Sequence, residues 1–227
     1  MKIVRVDSPN CGPRRDGLRP RLVVLHYTAM KDAAGAIRHL CNPQAEVSAH
    51  YVIARDGTVS QLVDEELRAW HAGAGGWGGC DDINSRSIGI ELDNDGFSPF
   101  AAPLMAALEG LLRGILLRWD IVPAGVIGHS DMAPGRKIDP GTRFDWQRLA
   151  RQGLSVWPKA GTAPVDQARF LRDAARFGYD ASDPELCFAT FRRRFRPGVT
   201  GDLQGRDCAI VGDLAARFPV DALRLNA

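Results

Sequence analysis

The sequence predicts an α/β fold in which helices flank a mixed central β-sheet, followed by a small C-terminal module of three helices. Over residues 21–153, short apolar runs that end in polar residues, typical of buried strands, alternate with segments of helical periodicity. An Asp-Gly turn between two β-rich segments predicts an antiparallel hairpin, so the sheet is not wholly parallel. A stretch containing proline and glycine then separates this region from three further helical patterns.

The first hundred residues supply most of the predicted strands. Residues 1–20 are polar and rich in arginine, proline and glycine, and we expect an extended N-terminal arm. The apolar run RLVVLH at 21–26 predicts a buried strand, and a helical pattern follows at 32–40. Residues 49–63 predict the hairpin, and SIGIEL at 87–92 predicts another buried strand after a glycine-dense loop.

The next segment predicts a long helix, a short strand and a final helix. Residues 103–119 begin with proline, which suits the first helical position, and carry leucine and isoleucine at helical spacing. Residues 126–129 predict a strand that ends in histidine, residues 130–142 a loop and residues 144–153 a helix. We therefore place the first domain over 1–154.

The remaining residues predict a separate helical unit. Residues 155–164 (SVWPKAGTAP) are interpreted as a linker because they carry two prolines and a glycine. Helical patterns at 165–177, 184–195 and 207–218 then define a module over 165–227. A unit of this size buries little surface alone, so we expect it to pack against the first domain.

Composition and charge exclude few classes of function. The formal net charge is +2 with 25% charged residues, which gives no argument for nucleic-acid binding, and no apolar run is long enough to span a membrane. Five widely spaced cysteines are interpreted as mostly reduced thiols. The N-terminus lacks a signal-peptide pattern, so we expect a cytoplasmic protein, or a periplasmic one if an export signal has been removed. We also expect a monomer.

Two histidines and a carboxylate could form a metal site. His26 and His129 end predicted strands, and Asp139 lies in the loop that follows His129, together with Asp131. Two imidazoles and one carboxylate leave a fourth position open for water, which is typical of a catalytic zinc site. The alternative is that each histidine is a hydrogen-bonded polar residue near a strand end, and spacing alone leaves both readings open.

Two further residues have the chemistry of hydrolysis. Glu91 lies near the end of a buried strand, where a carboxylate near a metal can act as a general base. Lys137 precedes Asp139 by two residues, so in an extended segment both point to the same side and the ammonium could stabilise an oxyanion. The alternatives are a salt-bridged strand-end acid and a solvated loop lysine.

Five ordered motifs over 22–146 resemble a known enzyme family. VVLHYTA, AHYVIARDGTVSQLV, RAWHAG, SIGIELDN and GHSDMAPGRKIDPG are together similar to the AmpD/AmiD-like branch of the N-acetylmuramoyl-L-alanine amidases, within the superfamily of peptidoglycan recognition proteins. The tail segment FATFRRRFRPGVTGDL more weakly resembles the peptidoglycan-binding-like three-helix module of such enzymes. The resemblance implies a peptidoglycan-recognition fold with a zinc amidase domain over 1–154.

The resemblance also implies roles for the residues noted above. His26, His129 and Asp139 would hold one Zn²⁺, Glu91 would be the general base and Lys137 the oxyanion stabiliser. The reaction would be hydrolysis of the lactyl–L-Ala amide bond in muropeptides, in cell-wall recycling or turnover. The substrate would be 1,6-anhydro-muropeptides, and the resemblance leaves open whether intact peptidoglycan is a substrate too. Two alternatives are a recognition module that binds peptidoglycan without cutting it and a zinc peptidase acting within the stem peptide.

Five residues are predicted to line the substrate cleft: Tyr27, His71, Trp77, Asn84 and Arg136. Asn84 could hydrogen-bond a peptide or lactyl group, Trp77 could stack on a sugar ring, and Arg136 could pair with a substrate carboxylate. The alternatives are that His71 and Trp77 pack the glycine-rich loop and that Arg136 is solvated. The tail could likewise hold glycan or serve as a packing extension.

Overall fold

The computed structural model describes residues 3–223, and its strands form two sheets. The strands are β1 (Ile3–Arg5), β2 (Cys11–Pro13), β3 (Leu22–Tyr27), β4 (Tyr51–Ile53), β5 (Val59–Gln61), β6 (Leu67–Ala69), β7 (Ser87–Leu92) and β8 (Val126–Gly128). Six of them form the main sheet in the order β1-β5-β4-β7-β3-β8, and β2 pairs with β6. The hairpin β4–β5 is antiparallel, whereas β4–β7, β7–β3 and β3–β8 are parallel. The predicted mixed sheet is therefore confirmed.

Helices lie on both faces of the main sheet. They are α1 (Ala33–Leu40), α2 (Ile83–Arg86), α3 (Ala102–Trp119), α4 (His129–Met132), α5 (Trp146–Arg151), α6 (Gln167–Phe177), α7 (Pro184–Phe195) and α8 (Gly205–Arg217). Asp32 caps α1 and Asp183 caps α7 through side chains that accept a backbone N–H of the first turn. The helix α4 is a difference from the sequence prediction, which placed only a loop after His129. No helix in the described part of the chain is long and apolar enough to cross a membrane.

Alternate residues of β3 bury themselves in two different cores. Val23 and Leu25 point to the face covered by α3, whose leucines pack against them. Leu22 and Val24 point to the opposite face, where the apolar cluster also contains Phe170, Phe177 and Phe191 of the C-terminal helices. All four β3 residues are fully buried, which explains why the strand is a continuous apolar run.

The C-terminal module therefore covers one face of the sheet. Residues 155–164 contain no helix or strand. Val156 is buried in the shared core, and the hydroxyl of Ser155 accepts a hydrogen bond from Arg194. The connection is thus anchored against both parts of the chain. Apolar surface from both sides is removed from water in one cluster, which is the dominant favourable term in such packing.

The predicted N-terminal arm is built into the fold. Strand β1 pairs in parallel with β5 at the edge of the main sheet, and β2 pairs with β6. Between them and β3, the Arg14 guanidinium donates hydrogen bonds to four backbone carbonyl oxygens, those of Glu65, Asn84, Ser85 and Ser87. The backbone of residues 3–13 thus extends both sheets, and Arg14 fixes the loops that lead into β6 and β7.

Candidate metal centre and active site

Three of the predicted site residues converge at the carboxyl end of the central strands. His26 lies in β3, His129 follows the neighbouring strand β8, and Asp139 closes the loop after α4. The Nδ1 atoms of the two histidines lie 2.9 Å apart, and each lies 3.0 Å from Asp139 Oδ2. All three residues are buried. The carboxyl ends of parallel strands meet at one edge, which explains why residues about a hundred positions apart come together.

The electrostatics of this cluster suit a cation. The Nε2 atom of His129 lies 2.9 Å from the carbonyl oxygen of Ala72, which can only accept, so Nε2 carries the proton and Nδ1 keeps its lone pair. Burial, followed by the nearby His129, lowers the pKa of His26 to about 4, so that imidazole is neutral at pH 7. Burial alone would raise the pKa of Asp139, but the two histidines outweigh it and keep the carboxylate ionised.

The ligand atoms of His26, His129 and Asp139 face one another in a buried place. The three ligand atoms lie within 4.8 Å of one another, so a single metal ion can contact all of them. The Nδ1 lone pair of His129 faces the Asp139 carboxylate at 3.0 Å, and a positive charge between them would relieve their repulsion in a region of low dielectric. The donor set of two imidazoles and one carboxylate is one that transition-metal ions accept. The residues present thus fit a metal ion.

Glu91 and Lys137 share the cleft that holds this cluster. Glu91 of β7 is the register partner of His26 in β3, which places both side chains on the same side of the sheet. The Glu91 Oε2 atom is enclosed and has no hydrogen-bond partner within the protein. Burial and then the charge of Asp139 raise the pKa of Glu91 well above its usual value, while Lys137 opposes this. Both line a cleft of about 410 Å³, a volume in the range of small-molecule sites.

The His71 ring lies next to the ring of His26. It lines the cleft, but both of its ring nitrogens are engaged by the protein: Nδ1 lies 3.0 Å from His26 Nε2, and Nε2 lies 3.2 Å from the Ser87 hydroxyl oxygen. The Ser87 hydroxyl in turn donates to the Ile83 carbonyl oxygen at 2.6 Å. Sequence reasoning missed Ser87, because nothing local marks a strand-start serine as a partner of a histidine in a distant loop.

Two of the predicted substrate-binding residues have structural roles in this fold. Trp77 is 1% exposed and packs edge-on against Phe177 and Tyr179, so the prediction that its ring stacks on a sugar is wrong. The indole fills the space beside Gly178, where a Cβ atom would lie 2.6 Å from Trp77 Cζ2. Asn84 is buried, and its side-chain oxygen accepts the backbone N–H groups of residues 71 and 72. That oxygen orients the histidine loop, and contact of Asn84 with a substrate stays a prediction.

Arg136 and Tyr27 both border the cleft. The Arg136 Nη2 atom donates to the carbonyl oxygens of Ala72 and Ala74, which fastens the glycine-rich loop to the loop after α4. Arg136 is exposed and Tyr27 is half-buried. Contact with a substrate stays a prediction for both.

The buried carboxylate of Asp131 connects helix α4 to the C-terminal module through hydrogen bonds. Asp131 of α4 accepts the backbone N–H of Gly128, the hydroxyl of Tyr179 and a guanidinium N–H of Arg194, at 2.7–2.8 Å. Sequence reasoning named Asp131 only as a spare carboxylate. No local pattern relates residue 131 to residues 179 and 194, because their pairing depends on how the module docks.

The family of the chain follows from comparison of its sequence with known proteins. Residues 16–142 match the family model described as N-acetylmuramoyl-L-alanine amidase. The chain is 35% identical over 237 residues to the N-acetylmuramoyl-L-alanine amidase AmiD of Escherichia coli K12, covering 89% of this chain and 85% of that protein. It is 41% identical over 162 residues to the 1,6-anhydro-N-acetylmuramyl-L-alanine amidase AmpD of Haemophilus influenzae, covering 63% and 88%. The chain belongs to the N-acetylmuramoyl-L-alanine amidase family.

Solved structures show the same architecture. The E. coli AmiD amidase in complex with anhydro-N-acetylmuramic acid-L-Ala-D-γ-Glu-L-Lys superposes with a TM-score of 0.79 at 35% identity, over 89% of this chain and 92% of that one. AmpDh3 of Pseudomonas aeruginosa, in complex with anhydromuramic pentapeptide, gives 0.80 at 32% identity, over 90% and 94%. The predicted fold, family and enzyme class are thereby confirmed.

Proposed function

We propose that this chain is a zinc-dependent amidase that hydrolyses the lactyl–L-Ala amide bond of muropeptides. The observation that carries the proposal is the buried cluster of His26, His129 and Asp139, which opens into the same cleft as Glu91 and Lys137. In this proposal His26, His129 and Asp139 hold one Zn²⁺. That cofactor fits neutral imidazole nitrogens and a carboxylate oxygen, and three protein ligands leave a position open.

The chemistry divides between the cofactor and the side chains of the chain. Bound zinc supplies a Lewis acid, which lowers the pKa of a water molecule and polarises the amide carbonyl. Glu91 accepts a proton from the attacking water, a task suited to a carboxylate whose pKa burial has raised. Lys137 donates a hydrogen bond to the oxygen that becomes negative in the tetrahedral state. Glu91 then returns the proton to the leaving nitrogen of L-alanine.

The substrate is proposed from the relatives whose complexes have been solved. AmiD and AmpDh3 were each solved with an anhydromuramic peptide, and both superpose over about nine tenths of this chain. We propose 1,6-anhydro-muropeptides as substrate, with intact peptidoglycan as a second one, in cell-wall recycling or turnover. Arg136 and Tyr27, at the border of the cleft, would contact the peptide.

The assignment of parts is also a proposal. Residues 1–154 would form the zinc amidase domain and residues 165–227 the peptidoglycan-binding-like module, joined by 155–164. The contacts from Arg194 and Tyr179 to Asp131 support a packing role for the module. We further propose that the protein is a monomer and lies in the cytoplasm, where reduced thiols persist; the five cysteines of the chain form no disulfide.

Mass analysis of products tests the reaction. Incubation with an anhydro-muropeptide should yield the free anhydro-sugar and an intact peptide that begins at L-alanine, and one zinc per chain should be present in the same sample. Cleavage inside the stem peptide would identify a peptidase instead, and binding without cleavage would identify a recognition module. Rates on anhydro-muropeptide and on intact sacculi, measured in parallel, then establish which substrate the enzyme prefers.

A further inference from the structure

Three consecutive hydrogen bonds begin at His26 Nε2, the ring nitrogen that faces away from His129 and Asp139. It runs from His26 Nε2 to His71 Nδ1 at 3.0 Å, from His71 Nε2 to the Ser87 hydroxyl oxygen at 3.2 Å, and from that hydroxyl to the Ile83 carbonyl oxygen at 2.6 Å. His71 and Ser87 are outside the group of proposed metal ligands.

The hydrogen bond from Ser87 to Ile83 determines which atom donates in each of the three hydrogen bonds. A carbonyl oxygen only accepts, so the Ser87 hydrogen lies between Ser87 and Ile83. The Ser87 oxygen therefore accepts from His71, whose Nε2 must carry a proton. In a neutral His71, Nδ1 then has a lone pair that accepts from Nε2–H of His26. The Nδ1 atom of His26 keeps its lone pair, and that atom faces His129 and Asp139.

We propose that His71 is a positioning residue that fixes the tautomer and the ring orientation of His26 for metal binding. This inference rests on the proposed zinc site. It differs from the substrate-binding role expected from the sequence, because His71 would act through His26 and not on the peptide. Partners of this kind commonly set the basicity and orientation of a ligand histidine.

The protein makes room for the His71 ring. Gly89 interrupts the apolar strand β7 where the imidazole lies against it, and a Cβ atom there would lie 2.6 Å from His71 Cδ2 and 2.7 Å from Nδ1. No real contact is that short, so any other residue would displace the ring. The glycine in SIGIEL is thus explained by close approach of the histidine.

The same short loop orients both histidine ligands. The side chain of His71 contacts His26, and the carbonyl oxygen of the next residue, Ala72, accepts from His129. The Asn84 side-chain oxygen accepts the backbone N–H of both loop residues and so fixes their positions. Adjacent loop residues therefore orient one histidine that lies in β3 and another that begins α4.

Zinc affinity of the full chain, measured by competition with a chelator, tests the proposal. His71→Leu removes the acceptor and should weaken zinc binding by about 10- to 100-fold. His71→Asn, which has the same shape as leucine but offers an amide oxygen near the place of Nδ1, should recover most of the affinity. Ser87→Ala should weaken binding by about 10-fold, because His71 is then free to change tautomer. In the Co²⁺-loaded protein, the visible spectrum should change in His71→Leu and return towards wild type in His71→Asn.

Matched controls separate this role from packing. Ser60→Ala removes a buried serine from β5 of the same sheet and should leave zinc affinity unchanged. Equal zinc affinity in His71→Leu and wild type would overturn the inference, as would equal losses in the leucine and asparagine variants with equal melting temperatures. If His71→Leu does not fold, an unchanged zinc affinity in Ser87→Ala overturns it. A wild-type protein that binds no zinc would instead refute the proposed function.

Discussion

Replacing Arg194 by methionine should destabilise the protein strongly, because the guanidinium is the partner of a buried carboxylate. The Arg194 and Asp131 side chains are 2% and 1% exposed, with nitrogen and oxygen 2.7 Å apart. The guanidinium also donates to the carbonyl oxygen of Val126 and to the Ser155 hydroxyl, both at 3.2 Å, and lies 4.0 Å from the ring centre of Trp146. One side chain of the module thus contacts β8, α4, α5 and the connecting segment.

The expected magnitude follows from what the substitution leaves behind. Methionine fills much of the same volume, but it leaves the Asp131 carboxylate buried with only Tyr179 and the Gly128 N–H as partners. Removing one partner of a buried ion pair costs about 3–5 kcal/mol, which for a chain of this length corresponds to a fall in melting temperature of roughly 6–20 °C.

Urea denaturation at equilibrium measures this loss as a change in the free energy of unfolding. Arg176→Met provides the control, because it removes the same charge from an exposed position in α6 and should change stability by less than about 0.5 kcal/mol. The double variant with Asp131→Asn should lose less stability than the sum of the two single variants, by about 0.5–3 kcal/mol. A loss below about 1 kcal/mol in Arg194→Met, or strict additivity in the double variant, would refute the reasoning.

Three further outcomes are expected. Glu91→Gln should retain zinc while turnover falls by at least about 100-fold, and the exposed control Glu66→Gln should keep wild-type rates; a near-normal rate in Glu91→Gln would remove it from the role of base. A chain that ends at residue 154 should aggregate or melt without a cooperative transition, since the sheet face under the module becomes exposed; a soluble, cooperatively folded fragment would contradict this. Stability should fall as the pH drops below about 4. Burial raises the pKa of Asp207, but hydrogen bonds from Arg192 and Arg196 outweigh burial, so the pKa is lower in the folded protein than in the unfolded chain. The ionised carboxylate therefore stabilises the fold above the unfolded pKa, and this contribution is lost as the pH falls through the folded pKa. Melting of wild type and Asp207→Asn between pH 7 and 2 checks this, and equal pH profiles would speak against it.

The polar ends of the strands were predictable because they depend on local pattern. Residues 22–25 of β3 are apolar on both faces because helices cover them on both sides, and His26 follows where the strand reaches the cleft. His26, His129 and Asp139 were therefore named from strand ends and motifs, and the structure brings them together. Their role as zinc ligands stays a prediction.

Other residues could not be assigned from the sequence because their roles depend on docking. Trp77 in its glycine-rich loop has the pattern of an exposed aromatic ring, yet the module covers it. His71 was expected to line the cleft, which it does, but the sequence gives no sign that its nitrogens are used by His26 and Ser87.

The sequence by itself determined the alternation of strands and helices, the family and the residues with hydrolytic chemistry, because periodicity and ordered motifs are local properties. Only the tertiary structure decided that the N-terminal arm extends the sheets, that the module completes a core, and that Arg194 and Asp131 pair in the interior. Those contacts join residues far apart in the chain. Removal from water stabilises the apolar core, whereas the strand pairing and the Arg194–Asp131 ion pair supply partners to polar groups that burial would otherwise leave unpaired.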